Sequence, residues 1–332
     1  MSDARARFPL PDTRTAERWG RSARSLAGDP RFVRITHTLW ARRPQALDEP
    51  QLGAWERAAL IQHDAFQRRG HDAEHSHDDL LISHLSAAEL WGLPIGGSAM
   101  PWTHALLGES ARRPPLERRP ELSFTGRRRH QGNKWFLLHR GLGLPPVTGP
   151  WGSRVTHPVE TLLQCLPWLP GWRAVAAVDH LLATGPALAG PVRPLSREQI
   201  FASVSALAPG TCGARQLRRA VERSAPATWS PMETLLRLAL VNAGLPEPIM
   251  NHPVIAPDGQ RYHLDTAWPD HRAAVEYNGR VHYENRQIYG DEQRRLQRLA
   301  DLGWQVRVLV VEDLREHRRF EDLVWWLRRA LS

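Results

Sequence analysis

The chain has 332 residues, a formal net charge of +9 and two cysteines. That length accommodates two compact domains of roughly 100 to 200 residues, each with a buried core. Cys165 and Cys212 are too few and too far apart for a disulfide framework or a four-ligand zinc site. No apolar run approaches the roughly 20 residues needed to cross a bilayer, so the sequence reads as a soluble, cytoplasmic protein with no membrane partner. The positive charge suits a polyanion, because cations that neutralise phosphates release counterions. Its weight is reduced by composition: Lys134 is the single lysine among 44 basic residues, an arginine bias that fits GC-rich coding.

In chain order, a helix is expected around Thr15 to Leu26, followed by an alternating strand from Phe32 to Trp40. A winged-helix remnant near 15–43 is compatible with that pair. Apolar residues at helical spacing predict helices over Pro50 to Gln67 and Ser83 to Trp91. The run His71 to Asp79 is polar throughout and reads as a solvated loop. Leu122 to Thr125 and Trp135 to Leu138 read as strands around the basic segment Gly126 to Lys134, which predicts a β-hairpin with a basic tip. Three helices follow, over His157 to Trp168, Gly171 to Thr184 and Arg215 to Arg223, the first two separated by Pro167 and Pro170. The segment Ser224 to Trp229 interrupts the pattern. The expected organisation is therefore a mixed, mainly helical region over 1–225 and a second domain over 226–332.

The second domain is better punctuated. Ser230-Pro231-Met232-Glu233 carries a cap residue, a proline at the first helical position and an acid three residues on, opening a helix from Met232 to Ala243 that Gly244 ends. Strands follow over Ile249 to Ile255, Tyr262 to Trp268 and Ala273 to Asn278, each bounded by turn residues. A helix from Asp291 to Leu302 stops at Gly303, Trp304 to Val311 alternates as a strand, and Phe320 to Leu331 is a last amphipathic helix. The order is αβββαβα and the overall class α+β. If Leu264, Thr266 and Trp268 pack inward together, strict alternation puts Asp265 on the rim beside Glu276, which shares a face with Asn278. Two carboxylates on neighbouring strands can hold a hard divalent ion.

The pattern Ser230-x-x-Glu233, Asp265, Val275-Glu276-Tyr277-Asn278-Gly279, His282, Gln287, Asp291, Arg294 and Gly303-Trp304 resembles the Vsr-like branch of the PD-(D/E)XK endonucleases, as found at the C-terminus of actinobacterial multidomain proteins. The resemblance covers roughly the last third of the chain. It implies a metal-dependent DNA endonuclease or nickase in which Asp265 and Glu276 hold Mg²⁺ or Mn²⁺ for water attack on a phosphodiester. Glu233 is then a supporting acid, and His282 orients or protonates groups in the site. Asn278 stands where the motif normally has a charge-stabilising lysine. Gln287, Arg294, Arg295 and Arg298 would face DNA. Upstream, Ser83-His84-Leu85-Ser86-Ala87-Ala88-Glu89-Leu90-Trp91-Gly92-Leu93-Pro94 is similar to a segment of the same multidomain proteins, some of which have an AbiEi-antitoxin-like N-terminal part. The alternative reading is a catalytically inactive DNA-binding or antitoxin-like regulator.

Several residues also have plainer explanations. Glu233 suits a helix cap, Asp291 suits a helix N-terminus, and the arginines suit a solvated face. Trp168, Trp172, Trp325 and Trp326 read as core packing.

Overall fold

The computed structural model describes residues 10–42, 52–69, 80–95, 101–109, 119–125, 134–169, 171–183, 194–278 and 286–332. The expected loop over His71 to Asp79 and the basic tip over 126–133 lie outside them. The chain divides into two compact units: 1–96 with 114–168 and 189–218, and 97–113 with 169–188 and 219–332.

The first unit opens with β1 (Thr13–Thr15), α1 (Ala23–Ala27), β2 (Phe32–Arg34) and β3 (Leu39–Arg42). The strands form an antiparallel sheet in the order β1-β3-β2. The expected helix over Thr15 to Leu26 is thus only five residues long. Gly20, at φ +63°, ends a short 3-10 turn before it, and Ser22 caps α1 by accepting the Ser25 N–H. The expected strand over Phe32 to Trp40 is likewise two strands, folded back where Ile35 and Thr36 donate their N–H groups to the Leu39 carbonyl.

Then come α2 (Ala54–Arg69), β4 (Leu80–Ile82), α3 (His84–Leu90), α4 (Pro101–Ala105), β5 (Glu121–Phe124), β6 (Leu137–Arg140), β7 (Val147–Thr148), β8 (Arg154–Val155) and α5 (Pro158–Cys165). All but α4 belong to the first unit. The five strands make one sheet in the order β6-β5-β4-β8-β7. The expected hairpin is corrected: β5 and β6 run parallel, with Glu121 opposite Leu137 and Ser123 opposite His139. A parallel pair needs a crossover rather than a tight turn. The Ser83 to Pro94 segment is explained by packing: Ser86 Oγ accepts the Glu121 N–H, Glu121 accepts the Leu85 N–H, and Trp91 donates to the Thr156 carbonyl.

The remaining helices before the last third are α6 (Trp172–Leu182), α7 (Arg197–Ser205) and α8 (Ala214–Glu222), followed by α9 (Pro231–Asn242). The strands β9 (Ile249–Ile255), β10 (Arg261–Trp268) and β11 (Ala273–Tyr277) precede α10 (Arg286–Asp301), β12 (Gln305–Leu309), α11 (Val311–Arg315) and α12 (His317–Ala330). In the second unit the sheet order is β12-β11-β10-β9, with β11 and β12 parallel and the other neighbours antiparallel.

Both faces of this sheet are covered. On one side Leu236, Ala239 and Leu240 of α9 and Phe320, Leu323 and Leu327 of α12 pack on Trp268, Val275 and Leu309. On the other, Leu299 of α10 and Trp304 pack on Val254, Leu264 and Ala274. The helix-to-strand turn after α10 rests on Gly303 at φ +83°, where the Gly303 N–H bonds the Ala300 carbonyl. The outer side of α9 meets α6. Asp179 accepts from Thr234 Oγ1 at 2.8 Å and from the Ala225 N–H at 2.7 Å, and its carboxylate lies 3.7 Å from Arg237. Arg237 also holds Glu247 and the Arg223 carbonyl, both at 2.6 Å.

Candidate active site

The strand β10 is irregular where the site forms. Leu264 packs on the α10 side of the sheet while Trp268, four residues on, packs on the α9 side. Regular alternation would keep them on one face, so the expected shared facing of Leu264, Thr266 and Trp268 is corrected. The irregularity coincides with an unusual backbone conformation on the neighbouring strand. Between the pairs Leu264–His252 and Thr266–Met250, Asn251 adopts φ +46°, a conformation asparagine tolerates better than most residues. The β10–β11 ladder starts only at Thr266–Val275, and Asp265 Oδ2 instead accepts the Tyr277 N–H at 2.9 Å.

This brings three carboxylates together, since Glu233 and Glu276 both act on the Asp265 charge. Glu233, in the first turn of α9, is buried, and its carboxylate accepts the Trp229 N–H at 3.0 Å and Asn251 Nδ2 at 2.6 Å. Ser230 Oγ takes the Glu233 N–H at 3.2 Å. Glu233 is therefore both a cap and a neighbour of the acids. Glu276 on β11 is buried and chelated by Arg295 of α10, with Nη1 at 2.7 Å from Oε2 and Nη2 at 2.6 Å from Oε1. Arg295 also donates to the His263 carbonyl at 2.8 Å and to Glu292 at 3.1 Å.

The electrostatics follow from crowding. Burial first, then the Glu233 charge, pushes the Asp265 carboxyl up to about 7; the Glu276 charge adds to this, while the Tyr277 N–H and Arg295 oppose it. Burial also raises Glu233, against the hydrogen bonds from Trp229, Ser230 and Asn251. Burial works against the Arg295 charge too, but the bonds and attraction of Glu276 outweigh it and hold the guanidinium protonated.

The other expected site residues are more dispersed. Asn278 donates its N–H to the Leu309 carbonyl at 2.8 Å, and among the described residues its buried Oδ1 meets no donor. His282 lies outside the described residues, as does the side chain of Gln287, whose backbone is in the first turn of α10. Arg294 is 83% exposed and touches Asp291 at 3.4 Å. Arg298 binds Asp258 and Tyr262 Oη, both at 3.1 Å. Of the three arginines expected to face phosphate, Arg295 is thus turned inward onto Glu276. Two residues of the site escaped the sequence reading: Asn251, whose signal is an asparagine inside a strand, and Trp229. Trp325, expected in the core, is 59% exposed with Arg329 stacked on it at 4.8 Å, whereas Trp172 is buried.

Among the described residues no group of three or more His, Cys, Asp or Glu side chains is arranged to hold a metal ion. The donor chemistry nevertheless suits Mg²⁺, which keeps several waters and takes one or two carboxylates together with substrate phosphates. Asp265 and Glu276 are such a pair, and a cation beside Asp265 would offset both the burial and the neighbouring Glu233 and Glu276 charges that push its carboxyl up.

The chain is similar to two proteins of Mycobacterium tuberculosis. These are the uncharacterized proteins MT2308 of strain CDC 1551 / Oshkosh and Rv2248 of strain ATCC 25618 / H37Rv, each 29% identical over 187 residues that cover 54% of this chain and 68% of the relative. No protein-family model matches the chain, and no solved structure matches it. Among the described residues no helix is long and apolar enough to cross a membrane.

Proposed function

We propose that the αβββαβα segment is a divalent-metal-dependent DNA endonuclease or nickase domain of the Vsr-like PD-(D/E)XK kind, acting in the cytoplasm. The observation that carries this reading is the meeting of Asp265 and Glu276 at the start of the β10–β11 ladder, with Glu233 beside them. Asp265 and Glu276 would hold Mg²⁺ or Mn²⁺, and a cation there supplies Lewis acidity toward water and the scissile phosphate. Glu233 and Asn251 fix the floor of the site by their mutual hydrogen bond. Arg294, exposed on α10, offers its charge to a DNA backbone, and Arg298 can do so once it releases Asp258. The test is incubation of supercoiled plasmid with purified protein and Mg²⁺ or Mn²⁺. Nicking that chelator abolishes supports the reading; intact plasmid with both metals opposes it.

A second reading is favoured by the closure of both Glu276 oxygens by Arg295 and by Asn278 in place of the motif lysine. On that reading the domain is a catalytically inactive DNA-binding or antitoxin-like regulator, which would shift DNA in gels without metal and never cut it.

A further inference from the structure

Resting on the nuclease reading, we infer that Arg295 is a placeholder cation: it holds Glu276 while the site lacks a divalent ion, and transfers its guanidinium to a DNA phosphate once Glu276 is given over to the ion. The two terminal nitrogens of Arg295 match the two oxygens of Glu276 at 2.6 and 2.7 Å, a fork-to-carboxylate pairing that occupies the syn lone pairs, the directions a chelated metal would use. A carboxylate so paired leaves a metal only its anti lone pairs, so syn or bidentate loading of a cation requires Arg295 to withdraw.

Where it can go is set by α10. Arg295 sits one residue from exposed Arg294 and three from Arg298, and its own side chain is about one-quarter exposed at 23%. A rotation of the long side chain toward solvent therefore takes the fork to the edge where the other two cations stand. A guanidinium reads phosphate with the same bidentate geometry as carboxylate, so the group needs no other adaptation. The move also answers the departure at Asn278. The position that normally carries a cation beside the attacked phosphate holds a neutral amide, and among the described residues Arg295 is the cation hydrogen-bonded to either of the paired acids. Its contacts to the His263 carbonyl at 2.8 Å and to Glu292 at 3.1 Å keep the resting position defined.

The test is Mn²⁺ titration by calorimetry on the full chain, wild type against Arg295→Met and Arg295→Gln, beside plasmid nicking by the same samples. Glutamine is included because it retains a donor for the His263 carbonyl if methionine unfolds the domain. The inference predicts that removing the guanidinium tightens Mn²⁺ binding at least tenfold while lowering the nicking rate a hundredfold or more. A residue that merely braces the fold would lower both. Folded variants with unchanged or weaker Mn²⁺ uptake overturn the placeholder role even if wild type nicks DNA. Tighter uptake with undiminished nicking overturns the transfer to phosphate. Wild type that neither takes up Mn²⁺ nor nicks overturns the nuclease reading itself and this inference with it.

Discussion

Replacing Asp179 by alanine removes the acceptor that ties α6 to α9 inside the second unit. Asp179 is 1% exposed and satisfies the Thr234 hydroxyl and the Ala225 N–H, with the Arg237 guanidinium 3.7 Å away. Breaking one side of a buried charge pair costs about 3–5 kcal/mol, and an orphaned buried donor costs about 1–3 kcal/mol. Arg237 keeps Glu247 and the Arg223 carbonyl, so the loss should fall at the lower end, about 3 kcal/mol. The suitable assay is amide hydrogen exchange of α9 in the full chain, because local opening is read without assuming that two units unfold together. At 1.4 kcal/mol per factor of ten, exchange at Leu235 to Leu240 should accelerate roughly a hundredfold. Asp179→Asn, which keeps an acceptor oxygen, should accelerate it less. An acceleration below tenfold in the alanine variant would refute the claim that this network anchors α9.

The same contacts predict that a 226–332 fragment, lacking α6, melts lower than it does when residues 169–183 are supplied in cis, since Leu235 and Leu238 would lose their cover; equal melting temperatures would contradict this. Asp265 gives a pH signature. A carboxyl raised in the folded state binds its proton more tightly than in the unfolded chain, so its contribution is complete below the ordinary carboxylate range and is lost as pH rises to about 7. Asp265→Asn should therefore stabilise the metal-free protein at pH 8, by on the order of 2–4 kcal/mol, and hardly at pH 4 in thermal melts. Gly303→Ala should cost about 1 kcal/mol or more, because the residue is held at φ +83° and a Cβ would approach Arg272 Nη1 to 2.7 Å. In DNA binding, Arg294→Ala and Arg298→Ala should each reduce the slope of log affinity against log salt by about one unit.

What could be read from the sequence tracks the length and punctuation of the elements. From α9 to α12 every element but the five-residue α11 was legible, because Ser230, Gly244, the Pro257-Asp258-Gly259 turn and Gly303 mark their ends and the helices are amphipathic. In the first unit α2, α3, α5 and β5 were legible too, but β7 and β8 are two residues long and β4 three, too short to show alternation. Whether β5 and β6 pair parallel or antiparallel is not written in either strand's own four residues. In the site, the pairing of Asp265 with Glu276 was legible from strand spacing, although the slip at Asn251 that presents Asp265 was not. The inward turn of Arg295 could not be read either: an arginine on an amphipathic helix looks like a solvated residue until the buried Glu276 beside it is known.

The most direct test of the account compares nicking and DNA affinity in Asp265→Ala and Glu276→Ala against wild type with Mn²⁺. Carboxylates without their cation repel phosphate, so removing either should cost transition-state stabilisation rather than ground-state binding. The account predicts that nicking disappears in both variants while the gel shift stays equal or strengthens. Nicking that survives in either variant, with both folded, would contradict it.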